Sequence, residues 1–336
     1  MTYYSLKTLF KGQAVVKDTL GVINYLDNDV SPSLVRNGKV RTNRDKMGND
    51  IFTIGLSPQH VTVPISNARI LRGIDRPSLH TKGFELIDCP IEDSKIEFKD
   101  SDSIINNYYK SCEELVSGFT QGIVFAFDHN VRSIYTNNRP SSEKDAQMIQ
   151  KPIHFVHGDY TLLSAPKRLR DLSCAPHVND TFVLQSLLTN TAFNTKNIET
   201  IINDGRFCIV NVWRNIAHTP IKIHPLALCD SHTVYPQDLV VHEIHYEDRI
   251  GENYFSLYSP EHKWYYYPEM NRDEALLIKQ WDSSGPFAVS EGALSDSSDI
   301  QKPSTFCFHC AFDYKVEPAH VTPRWSIEVR CIVVYT

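Results

Sequence analysis

The segment Pro323-Arg324-Trp325-Ser326-Ile327-Glu328-Val329-Arg330, continued by Cys331-Ile332-Val333-Val334, constrains this chain more than any other. Alternate side chains of an extended strand point to opposite faces. Arg324, Ser326, Glu328 and Arg330 therefore share one face, and Ile327, Val329, Cys331 and Val333 share the other. The apolar face belongs in a core. Polar groups on the opposite face are costly unless they pair or line a cavity, so the segment predicts a sheet that packs on one side and faces a ligand on the other.

Short strands recur elsewhere. Ala14–Tyr25, Ile51–Leu56, His60–Pro64, Gly122–Phe127, Arg206–Val212, Leu239–His245, Tyr254–Leu257, Thr305–Phe312 and Ser326–Tyr335 read as strands bounded by turn residues. Apolar residues at helical spacing predict helices over Ser103–Gly118, with Asp102 as its cap, and over Thr181–Asp204. Asp273–Trp281 fits either template, Gly285–Ser304 reads as a loop, and Tyr135–Lys151 as a surface loop or a lid. The pattern predicts a mainly β chain with flanking helices, a barrel or jelly roll. We read residues 1–336 as one domain, with a β-rich N-terminal region over 1–100 and the site-bearing core over 101–336.

Composition narrows the function. The 336 residues carry 34 Lys+Arg against 40 Asp+Glu, a net charge of -6, with no basic stripe to neutralise a phosphate backbone. Nucleic acid is not an expected partner. No apolar run approaches the roughly 18 residues that span a bilayer, and the N-terminal MTYYSLKTLFKG lacks a signal peptide's features. We expect a soluble, cytoplasmic protein, with a homodimer left open. The 8 cysteines lack a disulfide framework's spacing, and Cys307-x-x-Cys310 has no second pair to complete a zinc site.

The first candidate for chemistry is His157-Gly158-Asp159-Tyr160-Thr161, whose imidazole and carboxylate, two residues apart, project from one face of a strand. The triplet alone is weak evidence, since His245-Tyr246-Glu247 has the same form. A third ligand would complete the 2-His-1-carboxylate set of a non-haem Fe(II) site, which leaves positions open for a co-substrate and O2. Chain order points to His309, in the strand before Arg324 and Ser326. His218, His224, His232, His242 and His245 lie in the same interval as rivals. An Arg fork with a hydroxyl two residues on suits a dicarboxylate co-substrate.

In this order, H-x-D, a distal His and R-x-S on the last strand resemble the signature of Fe(II)/2-oxoglutarate-dependent oxygenases of the double-stranded β-helix fold. With His129-Asn130-Val131-Arg132, Asn211-Val212-Trp213-Arg214, Pro225-Leu226-Ala227-Leu228-Cys229-Asp230, Trp264–Pro268 and Leu277-Ile278-Lys279, the chain is similar to one branch of that group. This is the CmcJ-like or AsaB-like hydroxylase/desaturase family of secondary metabolism, and the likeness covers roughly residues 100 to 335. It implies a jelly-roll, cupin-like core. It also implies Fe(II) held by His157, Asp159 and His309, and 2-oxoglutarate received by Arg324 and Ser326, with Arg330 as the alternative anchor. O2 would be the oxidant and a small secondary metabolite the substrate, to be hydroxylated, desaturated, cyclised or converted to an endoperoxide.

The 152-residue separation of His157 and His309 requires a large insertion between the metal-bearing strands. Tyr160, Trp213 and Arg214 are expected substrate contacts. The His242–Tyr246 run lacks the i, i+4 spacing of a zincin helix, and the chain has no G-x-S-x-G, dinucleotide or P-loop motif. Two other readings remain open: a non-haem iron oxidase that does not use 2-oxoglutarate, and a cupin-like small-molecule-binding protein without redox catalysis.

Overall fold

A computed structural model describes residues 18–46, 49–91, 96–134, 149–174, 195–297, 301–314 and 322–335. The first strands are β1 (Thr19–Leu26), β2 (Arg41–Arg44), β3 (Asp50–Ile54), β4 (Pro58–Asn67) and β5 (Phe84–Asp88). Helices α1 (Ser101–Asn107) and α2 (Tyr109–Thr120) lead into β6 (Ile123–Ser133) and the two-residue β7 (His157–Gly158). After α3 (Ser164–Asp171) and α4 (Thr195–Asp204) come β8 (Arg206–Asn215), β9 (Leu226–Cys229), β10 (Leu239–His245) and β11 (Ile250–Ser256). The chain then forms β12 (Trp264–Tyr266), β13 (Glu274–Asp282), β14 (His309–Ala311), β15 (Asp313–Tyr314) and β16 (Trp325–Tyr335).

These strands make two sheets. An 11-stranded sheet runs β15-β1-β4-β12-β9-β14-β7-β11-β10-β2-β3, and a 5-stranded sheet runs β5-β13-β8-β16-β6. Between them lies an apolar core that joins Ile23, Ile65, Tyr254 and Cys310 of the first to Phe127, Phe207, Ile209, Trp281, Ile332 and Val334 of the second. This is the jelly-roll arrangement, with helices outside. The second sheet's outer face carries Ile327, Val329, Cys331 and Val333, which pack with Ile104, Tyr108, Cys112 and Val116 of the α1–α2 region.

The predicted alternation of the last strand therefore holds along β16. Its apolar face turns to the helices. On the inner face, Arg324 to Arg330 give way to Ile332 and Val334, so the space between the sheets is polar at one end and apolar at the other. β16 pairs antiparallel with β8, setting Arg330 opposite Asn211, Glu328 opposite Trp213 and Ser326 opposite Asn215. On its other side it pairs with β6, setting Arg330 opposite Asp128 and Ser326 opposite Arg132.

Several expectations change. The helix predicted over 103–118 is two helices that meet at Tyr108, and its cap is Asp100, not Asp102, because the Asp100 carboxylate accepts from the backbone N–H of Asp102 and Ser103. Asp273–Trp281 is strand, since Leu276 and Ile278 pack in one cluster while Ala275 and Leu277 pack in another. Within Thr305–Phe312 only His309–Ala311 joins a ladder, and the described residues of Gly285–Ser304 include two short 3-10 turns. Most of the Tyr135–Lys151 segment and much of the helix expected over Thr181–Asp204 lie outside the described residues. Residues before 100 do not stand apart: β1 and β4 build the large sheet, and β5 edges the small one.

Candidate metal centre

Two strands bring the imidazoles together. β14 lies antiparallel to β7 with His309 directly opposite His157, and the ring centroids are 4.4 Å apart. Each ring is oriented by its own strand. His157 Nδ1 donates to the Phe155 carbonyl at 2.8 Å, and His309 Nδ1 to the Cys307 carbonyl at 3.1 Å. A carbonyl can only accept, so both Nδ1 atoms carry the proton and both Nε2 atoms are left as lone-pair donors.

Asp159 follows two residues after His157, and one of its carboxylate oxygens, Oδ1, lies 3.8 Å from His157 Nε2. The other, Oδ2, accepts from Asn211 Nδ2 at 2.9 Å and Arg330 Nε at 3.3 Å, while the Asp159 backbone N–H donates to Gln280 Oε1 at 3.2 Å. Ligand atoms of His157, Asp159 and His309 all lie within 4.8 Å of one another. Two imidazoles with bare Nε2 and one anchored carboxylate form a donor set suited to a first-row divalent metal with open positions.

Electrostatics keep this set ready. Burial and the neighbouring His309 pull His157 down to about 3, so it stays neutral and available near neutral pH. Burial alone would raise Asp159, but Arg330, His309 and His157 outweigh it and hold the carboxylate well below the usual range. Arg330 is itself shared, donating to Asp128 at 2.7 Å and Glu328 at 2.9 Å as well as to Asp159. These three carboxylates, against the burial that would lower it, hold the guanidinium firmly charged.

The centre opens on a cavity of about 700 Å3 whose walls include Asp128, Asn130, Arg132, Tyr160 and Arg330. Further along the same face of β16, Arg324 lies over the Trp213 ring, 5.4 Å from its centroid, and its Nη1 donates to the His224 carbonyl. Arg324 Nε and Ser326 Oγ are buried without a partner, as are Asn211 Oδ1 and Gln280 Nε2. Burial and the nearby Arg132 pull Arg324 down to about 9, against the pull of Glu328. A buried guanidinium with an idle donor is chemically suited to an anionic partner.

Of the expected substrate contacts, Tyr160 lines the cavity and Trp213 underlies Arg324. Arg214 does not reach the site. One residue beyond Trp213 on an alternating strand, it faces the helices, with Nε donating to Tyr108 Oη at 2.9 Å and Nη1 to the Cys89 carbonyl. The rival histidines are accounted for elsewhere. His242 sits between Thr42 and Asn253, His245 bonds Glu243, His232 lies beside Asp230, His224 bonds Asp313, and His218 is exposed. Sequence reasoning missed Asn211, Gln280 and Asp128. For Asn211 a signal existed, since alternation along Arg206–Val212 puts it on the face of Trp213.

Comparison with known proteins agrees with this architecture. A family profile described as "Oxidoreductase/YMDC permease-like domain" matches residues 23–334. Among the described residues, no helix is long and apolar enough to cross a membrane. An uncharacterised protein in the dcmA 3' region of Methylophilus leisingeri is 38% identical over 199 residues, covering 58% of this chain and 89% of that protein. The Fe(II)/2-oxoglutarate-dependent dioxygenase nvfI of Aspergillus novofumigatus is 29% identical over 264 residues, 77% of this chain and 78% of that one. The hydroxylase/desaturase efuI of Hormonema carpetanum is 26% identical over 282 residues, 76% of this chain and 78% of its own. The solved structure of the iron and alpha-ketoglutarate-dependent endoperoxidase NvfI shares the fold, with a TM-score of 0.65 at 22% identity, covering 95% of this chain and 98% of that one. The chain belongs to this oxidoreductase family, the hydroxylase/desaturase branch of the non-haem Fe(II)/2-oxoglutarate-dependent oxygenases.

Proposed function

We propose that His157, Asp159 and His309 hold Fe(II) and that Arg324 and Ser326 receive the distal carboxylate of 2-oxoglutarate, in an oxygenase acting on a small secondary metabolite. The observation that carries this reading is the presence of a His2Asp donor set on the 11-stranded sheet together with two unpartnered buried donors, Arg324 Nε and Ser326 Oγ, at the polar end of the 5-stranded one. Iron, 2-oxoglutarate and O2 bound there would supply the oxidation, with succinate and CO2 as co-products.

The chain's own residues prepare for that chemistry. The Phe155 and Cys307 carbonyls hold the imidazole tautomers, and Arg330 with Asn211 leaves Asp159 Oδ1 free to ligate. Trp213 keeps the Arg324 fork in place by stacking under it. Tyr160 and Arg132 wall the cavity and would bear on substrate position. Whether the outcome is a hydroxyl, an alkene, a ring or an endoperoxide depends on how that cavity presents the substrate. The reading carries with it a single catalytic domain in the cytoplasm. A homodimer is the assembly to test, by light scattering.

The test is an anaerobic titration of the Fe(II)-loaded protein with 2-oxoglutarate. The expected result is a saturable visible charge-transfer band that is lost in His309→Ala and shifted to far higher concentration in Arg324→Ala. Tightly bound iron with no band at any 2-oxoglutarate concentration would sink the co-substrate assignment.

A further inference from the structure

A second His2Asp cluster lies outside the site just described. His154 Nε2, His224 Nδ1 and Asp313 Oδ1 converge from three separate segments. Asp313 Oδ1 is 2.7 Å from His224 Nδ1 and 3.2 Å from His154 Nε2, and the two nitrogens are 3.2 Å apart. With metal–ligand bonds near 2.0–2.1 Å, neighbouring donors of a coordination shell lie about 2.9 Å (octahedral) to 3.4 Å (tetrahedral) apart. The three atoms thus already sit close to one face of such a shell. Asp313 needs only one of these imidazoles to satisfy Oδ1, yet both rings are turned so that a nitrogen meets it and the other ring.

The scaffold holds the three segments by their backbones beside the donors. The Ala311 N–H donates to the Ile153 carbonyl at 2.7 Å, next to His154, and the Phe312 N–H donates to the Pro225 carbonyl at 3.1 Å, next to His224. His224 has φ 47, a left-handed backbone rare for a residue with a side chain, and its carbonyl accepts from Arg324. The side chains are 28%, 23% and 43% exposed, so water could complete the coordination shell. Two imidazoles and a carboxylate select zinc-like divalent ions over calcium or magnesium.

We propose that His154, His224 and Asp313 bind a structural divalent ion of the zinc type, separate from the His157/Asp159/His309 centre. The ion clamps β15 to the segment three residues ahead of His157 and to the His224 carbonyl that holds Arg324, so it steadies both the metal ligands and the anion-facing arginine from behind. The inference does not depend on the iron reading.

Chelator-stripped protein loaded with Zn2+ alone, desalted and assayed for metal by mass spectrometry tests it. Wild type should retain two ions per chain, and Asp159→Ala and Asp313→Asn one each. The double variant should retain none, because an amide is a far poorer ligand than a carboxylate while keeping an oxygen for the imidazoles. Zn2+ should also raise the melting midpoint of Asp159→Ala by several degrees and leave that of the Asp159→Ala/His224→Asn protein unmoved; asparagine tolerates the left-handed backbone, which guards the fold. An Asp159→Ala protein that retains no zinc, or an Asp313→Asn change that leaves its count unaltered, would overturn the proposal. Loss of one ion in Asp313→Asn with none lost in Asp159→Ala would uphold it while counting against the triad.

Discussion

Arg324, just ahead of β16, and Arg330 within it point to the same side, six residues apart; Arg324 is buried and the Arg330 side chain only 13% exposed, and their surroundings are opposite. Arg330 is spent on Asp159, Asp128 and Glu328. Arg324 has a carbonyl and an aromatic ring for company, an idle Nε, and a like charge at Arg132 nearby. Burying charge is tolerated where it is paired. Arg330 therefore belongs to the protein's internal architecture, whereas Arg324 is left with the spare donor that the proposed reading gives to 2-oxoglutarate.

The largest effect should come from Arg330→Leu, which leaves three largely buried carboxylates without their cation. Breaking a buried pair costs about 3–5 kcal/mol, and urea denaturation should show a loss of this size together with weakened iron binding. Arg324→Met should invert the pattern. Removing an unpaired buried charge leaves the ligand-free protein as stable as before or more so, while 2-oxoglutarate affinity falls by the ~1.5–3 kcal/mol of a charged hydrogen bond, roughly 10- to 150-fold. Calorimetry of both variants would dissolve the contrast if Arg330→Leu lost only 2-oxoglutarate and Arg324→Met lost stability.

Asn211→Ala removes the donor that, with Arg330, fixes the Asp159 rotamer. Iron affinity should drop about 10- to 100-fold, as for other groups that orient a ligand, with the fold retained; dialysis against Fe(II) reads this directly. The most gradual effect is on pH. His157 titrates near 6.5 when unfolded and is pulled down to about 3 when folded, so between those values the unfolded chain binds more protons. Stability of the metal-free protein is full above that range and is lost as pH falls through it, by at most about 1.4 kcal/mol per pH unit from this residue. A His157→Gln variant should show a shallower acid limb, and an unchanged limb would mean that other groups carry it.

Much of this arrangement was legible in the chain. Leu239–His245 is a strand with the predicted bounds, and the two faces of the last strand could be written down because side-chain alternation is a local property. The same rule separates Trp213 from Arg214, yet grouping them as one motif put both at the site, whereas adjacent residues on a strand face opposite ways. The break at Tyr108 was not legible, because Arg214 bonds to Tyr108 Oη from 106 residues away. His154, His224 and Asp313 have no common spacing at all, and their meeting is a product of β14 and β15 passing between distant segments.

By itself the sequence determined the periodicities, the polar and apolar faces of β16, the H-x-D pair and the absence of a basic stripe, since each depends on neighbours along the chain. Only the tertiary structure decided that His309 lies opposite His157, that Arg330 rather than Arg324 is consumed by Asp159, and that a second His2Asp cluster forms. Those outcomes rest on strand register across the sheets and on competition among buried charges, which are settled by packing over separations of 70 to 171 residues.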